Sequence, residues 1–353
     1  MTALTVPARP AEASPRPLPW RRMAWVTWRQ HRFALAGVAV LLGVLAIWLW
    51  LTGSSAHRAW AAATACHPAS SFACQNLINQ FNGAYASTAE LIAALLQVVP
   101  ALIGAFAGAP VLARELETGT FRYAWTLPFG RWRWTLAKLV PLAIALAAGA
   151  GVFSLLSSWY FQPFFADGNQ TPLAPTVFDL RGVAFAAWTL AAFAIGALAG
   201  ILIRRVVPAI AATLAAYTGL ALAAGIYLRQ HYLTPLVTSN PNVPGSTWGS
   251  NQNVPGFAWI ISQQWQTKGG QPASQSALYQ VLQQGPSQLA GKGGVPQSSG
   301  VTRYLYQHGY TLWTTYQPGS RFWPFQWIEG GWLLALSVLL LTAAVWLVRH
   351  RAA

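Results

Sequence analysis

The strongest structural signal in the chain is the stretch Gly182–Leu228, which reads GVAFAAWTLAAFAIGALAGILI, then Arg204-Arg205, then VVPAIAATLAAYTGLALAAGIYL. Each apolar run has about 20 residues, the length at which an α-helix crosses the hydrocarbon core of a bilayer. Neither run contains Asp, Glu, Lys, Arg or His. The stretch therefore predicts two membrane-spanning helices that are joined by a tight turn of two arginines.

The same criterion finds six apolar stretches, numbered here as spans one to six. They are Phe33–Thr52, Leu91–Ala113, Leu139–Tyr160, Gly182–Ile203, Val206–Leu228 and Gly330–Val348. The composition agrees, because 54% of the residues are apolar and only 8% are charged, whereas a soluble domain carries about 25% charged residues. So few charges cannot cover a water-facing surface. We expect an all-α integral membrane protein.

The positions of Lys and Arg predict how the chain is oriented. Fifteen of the 22 basic residues lie in the N-terminal tail, in the segments after spans two and four, and at the C-terminal end. The other seven are spread over much longer segments. Since cytoplasmic segments are enriched in Lys and Arg, both termini are predicted to lie in the cytoplasm, with the chain in the bacterial plasma membrane. The net charge of +15 therefore points to membrane topology and does not indicate a nucleic-acid partner.

The spans and the segments between them predict five regions. They are a disordered cytoplasmic tail (1–19), an amphipathic elbow helix (20–32), spans one to five with an inner loop (33–228, inner loop at 114–138), an extracellular domain (229–329), and span six with the cytoplasmic end (330–353). The extracellular domain is rich in Gln, Asn, Gly, Ser and Pro. It is predicted to contain a short helix at Ala273–Gln284 and turn-rich coil elsewhere. This domain is either a solvated cover over an outer gate or a receptor-like domain, and both alternatives remain.

The segment Trp20–Arg32 is predicted to be an amphipathic helix before span one. At about 100° per residue, one side of this helix collects arginines, and tryptophans suited to the membrane interface lie near them. The residues of this elbow are Arg21, Arg22, Trp25, Trp28, Arg29 and Arg32. An interfacial helix on anionic headgroups and a simple positively charged anchor remain alternatives.

The loop between spans two and three runs from Arg114 to Lys138 and holds two unusual acids. Glu115 and Glu117 stand where nearly every other charge is basic. They are expected to pair with neighbouring arginines (Arg114, Arg122 or Arg131) or to face a partner protein. Gly119 is predicted to end the helix that continues from span two. Thr120 would cap a new short helix, and Pro128 would turn the chain before span three begins near Arg131.

Two further pairs of residues carry structural expectations. Cys66 and Cys74 are the only cysteines, and both fall in the first outer segment, so a local disulfide is expected on this oxidising side; two free thiols are the alternative. His67 alone is too little for a metal site. Gly196 and Gly200 form a small-xxx-small face, which suits packing either within the chain or against a second copy.

The loop motif is similar to that of ABC-2-type permeases, the membrane subunits of ABC transporters. The shared order is Glu-x-Glu-x-Gly-Thr, then Pro-x-x-Arg and a Lys seven residues later; here it falls on Glu115, Glu117, Gly119, Thr120, Pro128, Arg131 and Lys138. Its fuller form, Ala-Arg-Glu-Leu-Glu-x-Gly-Thr-x-Arg-x-Ala-Trp-Thr, resembles an actinobacterial branch. So do Trp25-x-x-Trp-Arg-Gln-His31 before span one and Arg321-Phe-Trp-x-Phe-Gln-x-Ile-Glu329 before span six. With the six-span layout, the resemblance covers nearly the whole chain.

The resemblance implies a membrane subunit without enzymatic activity of its own. Two permease copies, expected to be a homodimer, would work with two copies of a cytosolic ATPase that binds ATP and Mg²⁺, and would export an amphiphilic, antibiotic-like or lipid-like substrate. The resemblance implies that the loop at 114–138 contains a coupling helix. It assigns an ATPase-coupling interface to Arg114, Glu115, Glu117, Gly119, Thr120, Phe121, Arg122, Trp125, Pro128, Arg131 and Lys138. The chain itself has no phosphate loop, since Gly291-Lys292-Gly293 lacks the required earlier Gly and the Ser or Thr after Lys.

Two other classes of function are weighed. An ion-coupled transporter or channel is disfavoured because ion-coupled transporters usually carry ionisable groups within the membrane, and all six spans lack them. A membrane-embedded enzyme acting at the outer face would draw on Glu90, Asp167, Asp179, Glu329, His57, His67, His231 and His308. These residues are dispersed and match no catalytic motif. They are therefore interpreted as helix-end and loop residues.

Overall fold

The computed structural model describes residues 20–68, 71–119, 131–166, 170–239, 258–285 and 299–350. The helices there are α1 (Trp20–Thr64), α2 (Phe72–Ile103), α3 (Ala109–Thr118), α4 (Arg131–Ala166), α5 (Pro175–Phe178), α6 (Ala184–Ile203), α7 (Val206–Ala223), α8 (Gln275–Gln283), α9 (Ser299–Gln307) and α10 (Phe322–His350). Within the described residues, six helical segments are long and apolar enough to cross a membrane. This result confirms the all-α integral membrane class.

Each predicted span lies inside one long helical segment, except that predicted span four begins two residues before its helix, and the span number is used below for the whole segment. Span one is α1, span two runs from α2 through α3, and spans three, four and six are α4, α6 and α10. Span five runs from α7 through a turn of π-helix (Ala224–Leu228) and a turn of 3₁₀-helix (Arg229–His231). The ends that the basic residues predict to be cytoplasmic are called inner ends, and the opposite ends are called outer ends. Each helical segment is longer than the hydrocarbon core requires at one or both ends, except span four.

The helix of span one begins much earlier than its apolar stretch. α1 is continuous over 45 residues from Trp20 to Thr64, roughly 70 Å at 1.5 Å per residue. The prediction of a separate elbow helix at residues 20–32 is therefore wrong: those residues are the first turns of span one. The segment contains neither Pro nor Gly before Gly37, so nothing in its sequence breaks the helix.

Span two contains a local change of helical geometry. Between α2 and α3, the residues Gly104–Gly108 form a turn of π-helix, in which the N–H of Ala109 donates to the carbonyl of Gly104. Pro110, which lacks an N–H, follows directly. The helix then ends at Gly119, whose φ of 72° lies in the left-handed region that glycine tolerates. The predicted end of this helix is therefore confirmed.

Span four is the central helix, and span two lies directly against it. In both spans 61% of the most apolar 18-residue stretch is buried, against 6% in span one. A Cβ atom built on Gly196 would lie 2.3 Å from the carbonyl oxygen of Gly104, and one on Gly200 would lie 2.5 Å from that of Ala109. On the other side, a Cβ on Gly108 would lie 2.7 Å from the Phe193 oxygen. The two backbones therefore touch, so the Gly196–Gly200 face packs inside the chain.

The inner turn between spans four and five is as short as the sequence predicts. α6 ends at Arg204, which adopts a left-handed conformation with φ of 60°, and the N–H of Arg204 donates to the carbonyl of Gly200. Arg205 is extended, and α7 begins at Val206. Two residues thus reverse the chain, and the backbone of Arg204 adopts a conformation that residues other than Gly rarely adopt.

A small antiparallel sheet, absent from our sequence predictions, lies in the segment before span six. Its strands are β1 (Leu236–Thr238), β2 (Trp259–Thr267) and β3 (Tyr310–Gln317), in the order β1-β3-β2. α8 falls where a short helix is predicted, and with α9 it packs on Trp265 and Tyr310 of the sheet. The β-branched and aromatic residues of β2 and β3 favour strands, but the surrounding Gln, Gly and Pro residues conceal this signal.

The first outer connection is closed by a disulfide between Cys66 and Cys74. The bond joins the end of α1 to the first turn of α2, which is capped by the Ser71 hydroxyl accepting from the Cys74 N–H at 3.2 Å. The predicted disulfide is confirmed, and the outer ends of spans one and two are covalently linked.

The contact between spans two and four leads to a stability prediction. Gly196→Ala places a methyl group against the backbone of Gly104, so we expect a loss of about 1–3 kcal/mol in the free energy of unfolding, the usual cost of overpacking. Gly219→Ala in span five is the matched control, since nothing lies within 4 Å of its Cβ position. Thermal unfolding of the purified protein in detergent measures both. Equal midpoints for the two variants would contradict the contact.

Candidate coupling site at the inner ends of the spans

A buried carboxylate near the inner end of span two connects three spans. Glu115 lies in α3 and pairs with Lys138 of span three, and both side chains are almost completely buried. From span one, the Gln30 amide donates to Glu115 Oε1 at 2.6 Å. The sequence predicts that this acid pairs with a neighbouring arginine or faces a partner protein. The structure shows instead that a lysine and a glutamine join it to the neighbouring spans.

The surroundings of this pair are partly aromatic and partly cationic. The Lys138 ammonium lies 3.8 Å from the centre of the Trp134 ring, a cation–π contact that favours its charged form. His31 Nε2 and Glu115 Oε2 are buried and have no hydrogen-bond partner in the structure. This inner cluster is therefore incompletely paired. Such a cluster is more easily rearranged than one in which every polar atom is satisfied.

The second acid of the motif caps a different span. Glu117 Oε2 accepts a hydrogen bond of 3.0 Å from the N–H of Val206, the first residue of span five. A carboxylate at a helix N-terminus satisfies an unpaired N–H and is stabilised by the helix dipole. Together, Glu115 and Glu117 link the inner end of span two to spans one, three and five.

Several residues of the predicted ATPase-coupling interface lie outside the part of the chain that the structure describes. Residues 120–130 are not described, and they include Thr120, Phe121, Arg122, Trp125 and Pro128. Arg131 begins α4, close to the predicted start of span three, although its side chain is not described. The structure thus describes the chain up to Gly119 before this loop and from Arg131 after it.

The arginines and tryptophans predicted for the elbow lie on the inner end of α1. Trp25 and Trp28 are each 59% exposed, as expected for rings at a membrane interface. The Arg29 guanidinium lies 5.4 Å from the centre of the Trp25 ring, and that of Arg32 lies 4.8 Å from the Phe33 ring. The side chains of Arg21 and Arg22 lie outside the described part.

A second polar cluster, at the outer ends of spans four to six, is absent from our site predictions. Arg229 is completely buried at the end of span five and donates to Glu329 of span six at 2.7 and 3.0 Å. Arg229 also pairs with Asp179. The sequence predicts that Asp179 and Glu329 are dispersed helix-end and loop residues. Asp179 does cap the end of α5, but Glu329 lies within α10, and the fold brings both acids to one arginine.

The outer cluster is closed by aromatic donors. Trp188 Nε1 of span four and the Tyr232 hydroxyl donate to Glu329 at 2.8 and 3.0 Å. One turn earlier in span six, Gln326 accepts from the Ala184 N–H at 2.9 Å and so caps span four. Gln326 and Glu329 are two of the three polar positions of the Arg-Phe-Trp-x-Phe-Gln-x-Ile-Glu motif, the third being Arg321. That motif was the sequence signal that could have located this cluster.

Beside the outer cluster, Arg181 is held between two aromatic rings. Its guanidinium lies 4.3 Å from the centre of the Phe165 ring and 5.1 Å from that of Phe322. Burial lowers the pKa of Arg181 to about 10.

Among the described residues, no group of His, Cys, Asp and Glu is placed to hold a metal ion. The outer polar groups are therefore organised around arginine side chains.

A comparison with protein families agrees with this architecture. A family model described as "ABC-2 membrane transporter related" matches residues 39–229, which is more than half of the 353 residues. The chain belongs to this ABC-2 family. No curated protein and no solved structure matches the chain.

Membership of the ABC-2 family accounts for several features described above. The chain is an ABC transporter permease, a multi-pass membrane protein whose partners include an ABC ATPase and the lipid bilayer. A permease of this family is a membrane subunit and is not itself an enzyme. The matched region contains the Glu115–Lys138 pair and the Glu117 cap, but it ends at Arg229. The sheet and span six therefore lie beyond it.

The Glu115–Lys138 pair leads to a second prediction. Lys138→Met leaves a buried carboxylate without its cation, so we expect the free energy of unfolding to fall by about 3–5 kcal/mol. The double variant Glu115→Met/Lys138→Met removes both charges and should recover most of that loss. Thermal unfolding in detergent compares the single and the double variant. A double variant that is as unstable as the single one would show that the ion pair is not the cause.

Proposed function

We propose that the chain is the membrane subunit of an ATP-driven exporter that moves an amphiphilic substrate out of the cytoplasm or the inner leaflet. Two copies of the permease would work with two copies of a cytosolic ATPase, which supply the sites for ATP and Mg²⁺. The observation that supports this proposal best is the pair Glu115 and Glu117. These two acids, one turn of helix from the loop 120–130, connect that loop to spans one, three and five.

A force applied to the loop by an ATPase would be transmitted through these contacts. The loop enters from Gly119 and leaves at Arg131, so it joins spans two and three directly. Lys138 lies about two turns beyond the start of span three and returns to Glu115. The two helices that flank the loop are therefore bound to each other. They would move as one lever when the ATPases close on ATP.

The glycine contact would carry this movement to the outer ends. Span two touches span four through Gly104, Gly108 and Gly196, and a backbone contact this close allows little independent sliding. Span four in turn holds Trp188, which donates to Glu329 of the outer cluster. In this mechanism the movement passes from the loop through spans two and four to spans five and six. Release of an amphiphile on the outer side would follow.

The cap at Glu117 provides the test of this function. Glu117→Lys places a positive charge at the N-terminus of span five, where the helix dipole disfavours it, and removes the acceptor for the Val206 N–H. The variant is reconstituted with the native ATPase in proteoliposomes. We expect ATP-dependent efflux of a fluorescent NBD-labelled fatty acid to fall by roughly tenfold, which corresponds to a coupling free energy of about 1.4 kcal/mol. ATP hydrolysis and ATPase co-purification are measured in parallel.

The control for this test is Glu117→Gln, whose side-chain oxygen still accepts from Val206. It should keep most of the efflux, because the cap survives without the charge. Normal efflux and normal ATPase yield in Glu117→Lys would count against a coupling role for this residue. The permease alone should show no ATP hydrolysis, and the complex should show vanadate-sensitive hydrolysis.

The outer cluster is the specific observation that favours an ion-coupled transporter as a second candidate. Glu329 is a buried carboxylate near the outer end of a membrane span, the kind of group that binds coupling ions. Its oxygens, however, already accept from Arg229, Trp188 and Tyr232. We therefore expect efflux to stop with a catalytically inactive ATPase and to persist with a protonophore. The opposite pattern would favour ion coupling.

A further inference from the structure

An apolar groove lies between spans one and three on the inner half of the molecule. Its volume is about 580 Å³, within the range of roughly 300–1,000 Å³ that is usual for sites that bind small molecules. Ala36 and Ala39 of span one and Ala145 and Gly149 of span three line it. Because these side chains are small, the two helices leave space between them although they pack together further along.

The groove has the length of one leaflet of a bilayer. On span one it is lined from Trp28 to Leu42, which is about 21 Å along a helix. Half of a bilayer, including its headgroup layer, measures about 20–22 Å. Leu42 lies 3.8 Å from the Cβ position of Gly149 and so closes the deep end. The groove therefore begins at headgroup level and ends near the bilayer centre.

One charge stands at the shallow end. In the part of the chain that the structure describes, Arg32 is the only charged residue that lines the groove, and its side chain is exposed. Trp28, which is also exposed, lines the groove one turn before it. The cation and the indole at the shallow end suit the headgroup of an anionic amphiphile, and the apolar groove suits its acyl chain.

We propose that this groove binds an anionic phospholipid of the inner leaflet. One acyl chain lies along the small residues of spans one and three, and the phosphate accepts hydrogen bonds from Arg32. The cytoplasmic leaflet supplies such lipids, and its negative surface attracts basic residues near the membrane. A second copy of the chain is a less suitable occupant, because covering the groove with an apolar helix would bury Arg32 without a partner.

The test uses two photoreactive lipids that differ only in headgroup. The permease alone is reconstituted in liposomes with phosphatidylglycerol or phosphatidylcholine that carries a diazirine at the end of one acyl chain. After irradiation, mass spectrometry locates the labelled residues. We expect phosphatidylglycerol to label the deep end of the groove, near Leu42 and Gly149. Phosphatidylcholine has the same phosphate, but its trimethylammonium group is repelled by Arg32, so it should label the deep end about tenfold less, a difference of about 1.4 kcal/mol in binding free energy.

Two substitutions with matched controls test the geometry. Gly149→Leu fills the groove and should abolish labelling at its deep end. Gly151→Leu, on another face of the same helix with nothing within 4 Å of its Cβ position, should leave labelling unchanged. Arg32→Gln should remove the preference for phosphatidylglycerol. Arg29→Gln removes one charge from the same helix but not from the groove, and it should keep the preference.

Three results would overturn the proposal. They are equal labelling by the two lipids in the unaltered protein, equal effects of Gly149→Leu and Gly151→Leu, and efficient bismaleimide cross-linking between copies carrying Ala39→Cys, which would show a second copy in the groove. No ATPase, nucleotide or exported substrate takes part in this experiment. Its failure is therefore distinct from a failure of ATP-driven export.

Discussion

The contact between the backbones of spans two and four is the constraint on which the rest of the structure depends. Four glycines, at positions 104, 108, 196 and 200, let the helices approach until mostly backbone atoms and the methyl groups of alanines lie between them. Lipid gives little driving force for helix association, so van der Waals packing at this distance must supply it. Span four thereby becomes the central helix, which spans two, three, five and six contact, while span one packs on spans two and three.

This packing brings polar groups together at both ends of the helix bundle. At the inner ends, Glu115 meets Lys138 because spans two and three lie side by side. At the outer ends, Arg229 meets Glu329 because spans five and six both pack on span four. A buried charge without a partner would be strongly unfavourable in either place. The apolar packing therefore brings the helices together, and the ion pairs make one arrangement of the helices specific.

The sequence predicted the spans well because their signal is local. Length, lack of charge and the Arg204-Arg205 turn define the helices without knowledge of their neighbours, and Gly119 marks a helix end by its own conformational freedom. The beginning of span one was predicted less well. Apolar composition shows where lipid begins, but a helix continues into water until a residue stops it, and neither Pro nor Gly occurs from Trp20 to Ala36.

The site was predicted only in part, for a different physical reason. Glu115, Glu117 and Lys138 were recognised from their motif, but their partners Gln30 and Val206 are 85 and 89 residues away in sequence from the acids that they contact. Asp179, Arg229 and Glu329 each look ordinary in their own segment. Their association is a property of tertiary packing, which periodicity and composition do not encode. The strands of the sheet were missed for a related reason, since β1 has three residues and is defined by its pairing with β3.

The sheet restricts how the outer side can open. β1 follows span five, β3 precedes span six, and the two strands are hydrogen-bonded to each other, while Arg229 and Glu329 join the same two spans just below. Spans five and six are thus fastened twice at their outer ends, once by main-chain pairing and once by charge. For the export proposed above, a bulky molecule would pass between these two spans only after both the strand pairing and the ion pair had broken. While both hold, the substrate would have to leave between other spans.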